Sequence, residues 1–180
     1  MKPIAALAAL FLLATTACVP RPQPSPPVQT RPTPVATPTP PAPAPVYSSW
    51  LDAPTTGGDW SYTAQQLSAG RYSSAVFTSD RNERLFTIMC AGGDNILLRR
   101  AIRTVENKTV TVRAEAAQKS FVAPPDPEGQ AIVTAVVRPS DSILDAIALS
   151  KGRFAVEVAG TPTLYLPSWA EVTRVIEDCR

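Results

Sequence analysis

Histidine is absent from all 180 residues. That excludes Ser-His-Asp triads, Cys-His nucleophile pairs and histidine-containing zinc sites. Cysteine is scarce, with three in the chain and no CxxC pair, so a thioredoxin-like redox role has no motif to stand on. There is no GxSxG elbow and no SxxK. The glycines of "CAGGD" (90–94) are not followed by GK[ST], so no P-loop forms there. No excess of either charge exists: 17 Lys and Arg face 15 Asp and Glu, a formal net charge of +2. A balance this even gives no electrostatic footprint for nucleic acid. No internal repeat is present.

What is present begins with the leader. MKPIAALAALFLLATTAC opens with Lys2, and Ile4 to Ala17 are mostly apolar. The run is shorter than the roughly 20 residues a spanning helix needs. A positive start, a short apolar run and small residues are the layout of a secretory signal. Thr15-Thr16-Ala17 then lead into Cys18. This resembles the lipobox of bacterial lipoproteins, with Thr15 where Leu is usual. The resemblance implies cleavage after residue 17 and lipidation of Cys18, palmitate-type acylation included. Three acyl chains would anchor firmly, since each buried CH₂ contributes about 0.8 kcal/mol. The alternative is an ordinary signal peptide with an incidental Cys18. Residue 19 is Val and not Asp, which by resemblance to Gram-negative lipoproteins implies the periplasmic face of the outer membrane.

Residues 18–46 hold most of the chain's 20 prolines. Proline fixes φ and removes the backbone donor, so neither helix nor sheet can form. The segment is expected to be a disordered, semi-rigid spacer reaching roughly 80 Å at about 3.1 Å per residue. Arg21 and Arg31 are its only charges, too few for a polybasic lipid patch. Residues 47–180 match one domain of ordinary size.

Within that domain the pattern is mainly β, an α+β protein built as a small antiparallel β-sandwich with one internal helix and a C-terminal helix. Strands are expected at 72–78, 84–90, 96–102, 109–113, 131–137, 153–158 and 163–167. Phe86, Ile88 and Cys90 share a face because side chains alternate along a strand. "AIVTAVV" (131–137) is apolar on both faces and reads as a central strand. Ser140 or Ser142 is expected to cap a helix carrying Ile143, Leu144 and Ile147, with Asp141 and Asp145 at the positive end of its dipole. Gly152 suits its left-handed stop. Ser168 and Glu171 form the spacing of a capping box. After them Trp169, Val172, Ile176 and Cys179 fall on one helical face.

If Cys18 carries lipid, Cys90 and Cys179 remain, each on an apolar face and in an oxidising compartment. Two cysteines allow one intramolecular pairing, so a Cys90–Cys179 disulfide is expected. Two buried thiols, or an intermolecular bond, are the alternatives.

The remaining polar motifs have structural explanations. "DRNE" (80–83) and "DPEG" (126–129) read as turns before calcium loops. Asp141 and Asp145 read as a helix start before a glycosidase pair. Trp50 and Trp60 read as core before a carbohydrate platform. No cofactor, metal or catalytic residue is assigned, and the chain is expected not to be an enzyme.

The stretch from Leu144 to Arg180 resembles the C-terminal region of uncharacterised secreted proteins of alphaproteobacteria, sphingomonads in particular, a family that implies no activity. The layout is also similar to small disulfide-bonded β domains of bacterial envelopes, among them secretion-system accessory and invasion-associated proteins. Layout does not give function. The expectation is an envelope lipoprotein of unknown molecular function, held at the membrane by its lipid, whose domain binds an envelope protein or peptidoglycan and no nucleic acid. A periplasmic inhibitor of a cell-wall hydrolase is the alternative, since lipoprotein lysozyme inhibitors are also small disulfide-bonded β domains and "SAGRYSS" (68–74) has a faint likeness to their serine-rich signature. A carboxylate-based hydrolase is a second alternative.

Overall fold

The computed structural model describes residues 49–180. The leader, Cys18 and the whole proline-rich tether expected from the sequence lie outside the described residues. Nine strands and two helices follow one another through the domain. Strands β1 (Gly58–Leu67), β2 (Gly70–Ser79), β3 (Arg84–Ala91) and β4 (Asn95–Arg100) form a meander. Strand β7 (Val133–Val137) adds to it, giving a five-stranded antiparallel sheet in the order β1-β2-β3-β4-β7. Strands β5 (Lys108–Arg113), β6 (Gln118–Ala123), β8 (Arg153–Val158) and β9 (Leu164–Pro167) make the second sheet, ordered β6-β5-β8-β9. Every pairing in it is also antiparallel. Helix α1 (Ser142–Ala148) lies between β7 and β8, and α2 (Ala170–Asp178) ends the domain. The architecture is the mainly β, sandwich-like one the alternating pattern predicts.

Alternation builds the core. Ala75, Phe77, Phe86, Ile88, Ile96, Leu98 and Ala135 point inward from the first sheet, and Val110, Val112, Phe154, Val156 and Leu166 from the second. Trp60 closes one end: its ring meets Phe77 edge-on at 5.3 Å and stacks near Phe154 at 6.4 Å. Its indole N–H donates to the Pro167 carbonyl at 2.8 Å, so the polar tip is satisfied inside the core. Gly92 and Gly93 turn β3 into β4 with φ of 70° and 89°, a region that favours glycine.

Four local expectations are corrected. The cap of α1 is Asp141, whose carboxylate accepts from the Ile143 N–H at 3.2 Å; neither Ser140 nor Ser142 serves. The capping box of α2 does not form, because the Ser168 hydroxyl donates to the Ile147 carbonyl of α1 and the cap position falls on Trp169. A tertiary bond has displaced the local one. Trp169, at the start of that helix, is 46% exposed and leaves the buried stripe to Val172, Val175, Ile176 and Cys179. Strand β7 lies at the end of its sheet rather than at its centre, and Val136 faces solvent.

Candidate functional site

Strand β3 shows how the two faces of the first sheet divide. Its inward residues Phe86, Ile88 and Cys90 are buried. Cys90 is bonded to Cys179 across a Cα separation of 5.4 Å, as the cysteine count predicts. The bond joins the sheet to the last turn of α2. A polar latch surrounds the same helix end. The Tyr62 hydroxyl donates to Asp178 at 2.5 Å, Arg71 Nε pairs with the other Asp178 oxygen at 2.9 Å, and Arg174 lies 4.4 Å over the Tyr62 ring. A carboxylate at a helix C-terminus opposes the dipole, and Arg71 offsets it. The Tyr62 hydroxyl first, then the Asp178 charge, hold the Arg71 guanidinium above its ordinary pKa.

The outward residues of that sheet form a different surface. Met89 pairs with Ser74 on one side and Leu97 on the other, and Leu97 pairs with Val136. This makes a row of three apolar side chains across β3, β4 and β7. Met89 and Leu97 are half-buried and Val136 is 58% exposed. The next row along the strands is Val76, Thr87, Arg99 and Thr134. Among the described residues, α2 packs on β1, β2 and β3 through its buried stripe on the core side and does not cover the outward row.

At the end of this sheet a cleft of about 240 Å³ is lined by Arg84, Phe86, Thr87, Arg99, Gln130 and neighbours of the 130–132 segment. Arg100, one residue on, is buried, its Nη1 donating to the Leu85 and Ala101 carbonyls at 3.0 and 3.2 Å. Its Nε has no partner among the described residues, and burial lowers its pKa.

A second concavity, about 670 Å³, runs beside α1 with an apolar floor that includes Ala117, Ala146 and Leu149. Its carboxylates are already engaged. Asp145 pairs with Arg180 at 2.8 Å, and Glu115 accepts from the Lys151 backbone N–H at 3.3 Å. Asp141 is turned into the helix cap and held by Lys119 at 2.5 Å, so Asp141 and Asp145 do not converge on a common point. Burial works to raise the Asp141 pKa, but the Lys119 bond, the Ile143 N–H and the Lys119 charge together hold it below its ordinary value.

The other sequence candidates separate similarly. Trp50 lies in a turn and Trp60 in the core, so they share no exposed platform. "DPEG" is a turn closed by Asp126, whose carboxylate accepts from the backbone N–H groups of Glu128 and Gln130 at 2.9 and 3.3 Å. Among the described residues no group of three or more acidic, Cys or His side chains is placed to hold a metal ion. None of the described helices is long and apolar enough to cross a membrane. Arginines 84, 99 and 100 and the Tyr62–Asp178–Arg71 latch escaped the sequence reading. The alternation of "RLFTIMC" against "NILLRR" was the available signal, once the hairpin register was known.

No family model matches the chain, and no curated protein matches it. Among solved structures it is similar to invasion associated protein B from Bartonella henselae, with 16% identity and a TM-score of 0.43, over 69% of this chain and 93% of that one.

Proposed function

We propose that the chain is an envelope lipoprotein, anchored through Cys18, whose β domain is a non-enzymatic module that binds an envelope protein or peptidoglycan. The observation that carries the binding reading is the outward apolar row of half-buried Met89 and Leu97 and exposed Val136 on the first sheet. Contiguous apolar surface left in solvent marks an interaction site more often than isolated apolar residues do. The buried Cys90–Cys179 bond supports an oxidising compartment, and the leader and Cys18 supply the route there.

The test places a photo-crosslinking residue at Leu97 in the full chain, expressed in its native envelope. A control carries it at Thr109 on the second sheet. A discrete adduct from Leu97 alone is expected, to a protein or a cell-wall fragment. Equal or absent adducts at the two positions would refute the binding face. Cys18→Ala should move the chain from the membrane to the soluble fraction, and retention on the membrane would refute the anchor.

A further inference from the structure

We infer that the cleft at the end of the first sheet is an oxyanion-binding site, with Arg84 and Arg99 as its anion-holding residues. Two guanidinium-bearing residues line it, Arg84 and Arg99; Arg100, the next residue of β4, pairs with inward Phe86 and turns to the opposite face. None of the ion pairs among the described residues includes any of them. Neither Arg84 nor Arg99 has a side-chain hydrogen bond there. The nearby acids are engaged elsewhere or stand apart: Glu128 accepts from the Gln130 side-chain amide at 3.4 Å, and Asp126 closes its own turn. No carboxylate lines the cleft.

Two cations that line one cleft without a counter-charge repel each other. An oxyanion in the cleft supplies that counter-charge. Guanidinium groups bind carboxylate or phosphate by paired N–H bonds, geometry a single ammonium cannot give. Thr87, buried and directly opposite Arg99 in the register, adds a hydroxyl on the same wall. A volume of about 240 Å³ is ample for one small anionic group and lies below the range of drug-sized ligand sites.

The position gives the ligand its context. Thr87 and Arg99 lie two residues along their strands from Met89 and Leu97, about 7 Å at the rise of a β-strand. A partner seated on the apolar row would place an anionic group in the cleft. That context rests on the binding reading above, whereas the site itself does not. The shared chemistry is a carboxylate, such as a peptide terminus, or a phosphate monoester or diester.

The experiment titrates the full chain in neutral detergent with sodium phosphate and, separately, sodium acetate, at ionic strength held constant with chloride. Backbone amide shifts of Thr87, Arg99 and Ala101 are followed by NMR. Saturable shifts with at least one anion are expected, and Arg84→Gln with Arg99→Gln should weaken binding about tenfold or more. Both side chains reach solvent, so the double variant should keep its thermal midpoint, measured in parallel. Arg174→Gln, over Tyr62, should leave anion binding unchanged. Saturation by phosphate alone assigns a phosphate source, and co-sedimentation with phosphatidylglycerol but not phosphatidylcholine vesicles would place it in a lipid. Saturation by acetate alone assigns a carboxylate, and saturation by both assigns the site to oxyanions generally. Non-saturable shifts with both anions, or equal binding by the folded double variant, would overturn the site. Anion binding without an adduct at Leu97 would refute the partner reading and leave the site standing.

Discussion

Removing the Cys90–Cys179 bond should destabilise the whole domain rather than free its last helix. The bond closes 89 residues of chain. In the chain-entropy model a loop of that length restricts the unfolded state by about 4.6 kcal/mol at 25 °C. Helix α2 has its own hold on the sheets through buried Val172, Val175 and Ile176, at roughly 1.5–3 kcal/mol for each side chain fully buried. The Arg71–Asp178–Tyr62 latch adds to it. The helix should therefore stay docked when the bond is gone, and the loss should appear in global unfolding. The assay is urea unfolding of the full chain, oxidised, and reduced after unfolding and refolded under reductant. Reduced sulfurs still fill the core, so no large cavity confuses the comparison. With a slope of about 2 kcal/mol per M, the midpoint should fall by about 2 M. Amide exchange supplies the discriminating readout: α2 and β8 should lose protection together. A midpoint shift under about 0.5 M would refute the entropic argument. So would α2 amides that open while β8 keeps its protection, since the bond would then be a local pin.

Asp141→Ala removes the cap of α1 and should cost about 1 kcal/mol in urea unfolding; an unchanged midpoint would refute the capping role. Because the folded pKa of Asp141 is depressed, its contribution is full above its unfolded pKa, about 3.9, and is lost as pH falls through the lower folded value. The stability gap between the wild type and Asp141→Asn should accordingly narrow as pH falls below about 4, and a gap that widens would contradict the sign. Trp60→Ala should cost about 3–5 kcal/mol by thermal or urea unfolding, because it empties the contact with Phe77 and Phe154 and leaves the Pro167 carbonyl unpaired. Tyr62→Phe removes one charge-assisted bond to a half-exposed latch and should cost about 1 kcal/mol, read as faster exchange of the last α2 amides; unaltered exchange there would show that Arg71 alone holds Asp178.

Much of the fold was legible because inward and outward residues differ in kind. "RLFTIMC" and "TVTVR" alternate cleanly and became β3 and β5. Strand β6 escaped because "QKSFVA" is an edge strand, exposed along most of its length, and an edge need not alternate. Strand β1 fades for a similar reason: past Trp60 and Tyr62 its side chains reach solvent on both faces. Strand β7 is apolar on both faces yet ends its sheet, because apolar residues on two faces do not require burial on both and Val136 is exposed. The cap errors have two causes. Ser140, Asp141 and Ser142 are adjacent candidates that local pattern cannot rank, and Ser168 was claimed by Ile147 in another helix. The arginine cleft depends on which residue of β4 lies opposite Thr87, a register that hydrophobic pattern alone does not give.

The same alternation that hid the cleft also makes its test separable from stability. On β3, Phe86, Ile88 and Cys90 belong to the core and Thr87 and Met89 to the other face. A substitution on the inner set opens a cavity or breaks the cross-link, at costs of several kcal/mol. A substitution at half-exposed Leu97 or Arg99 removes little packing and should stay near ±0.5 kcal/mol. Binding on the outer face can therefore change while the fold does not. Leu97→Glu is the sharp case: a carboxylate beside Arg99 should compete for the guanidinium, weaken phosphate binding and abolish the Met89-side contact together, with the urea midpoint unmoved. If it instead lowered the stability by about 2 kcal/mol or more, the outer row would be core after all, covered by something the described residues do not supply.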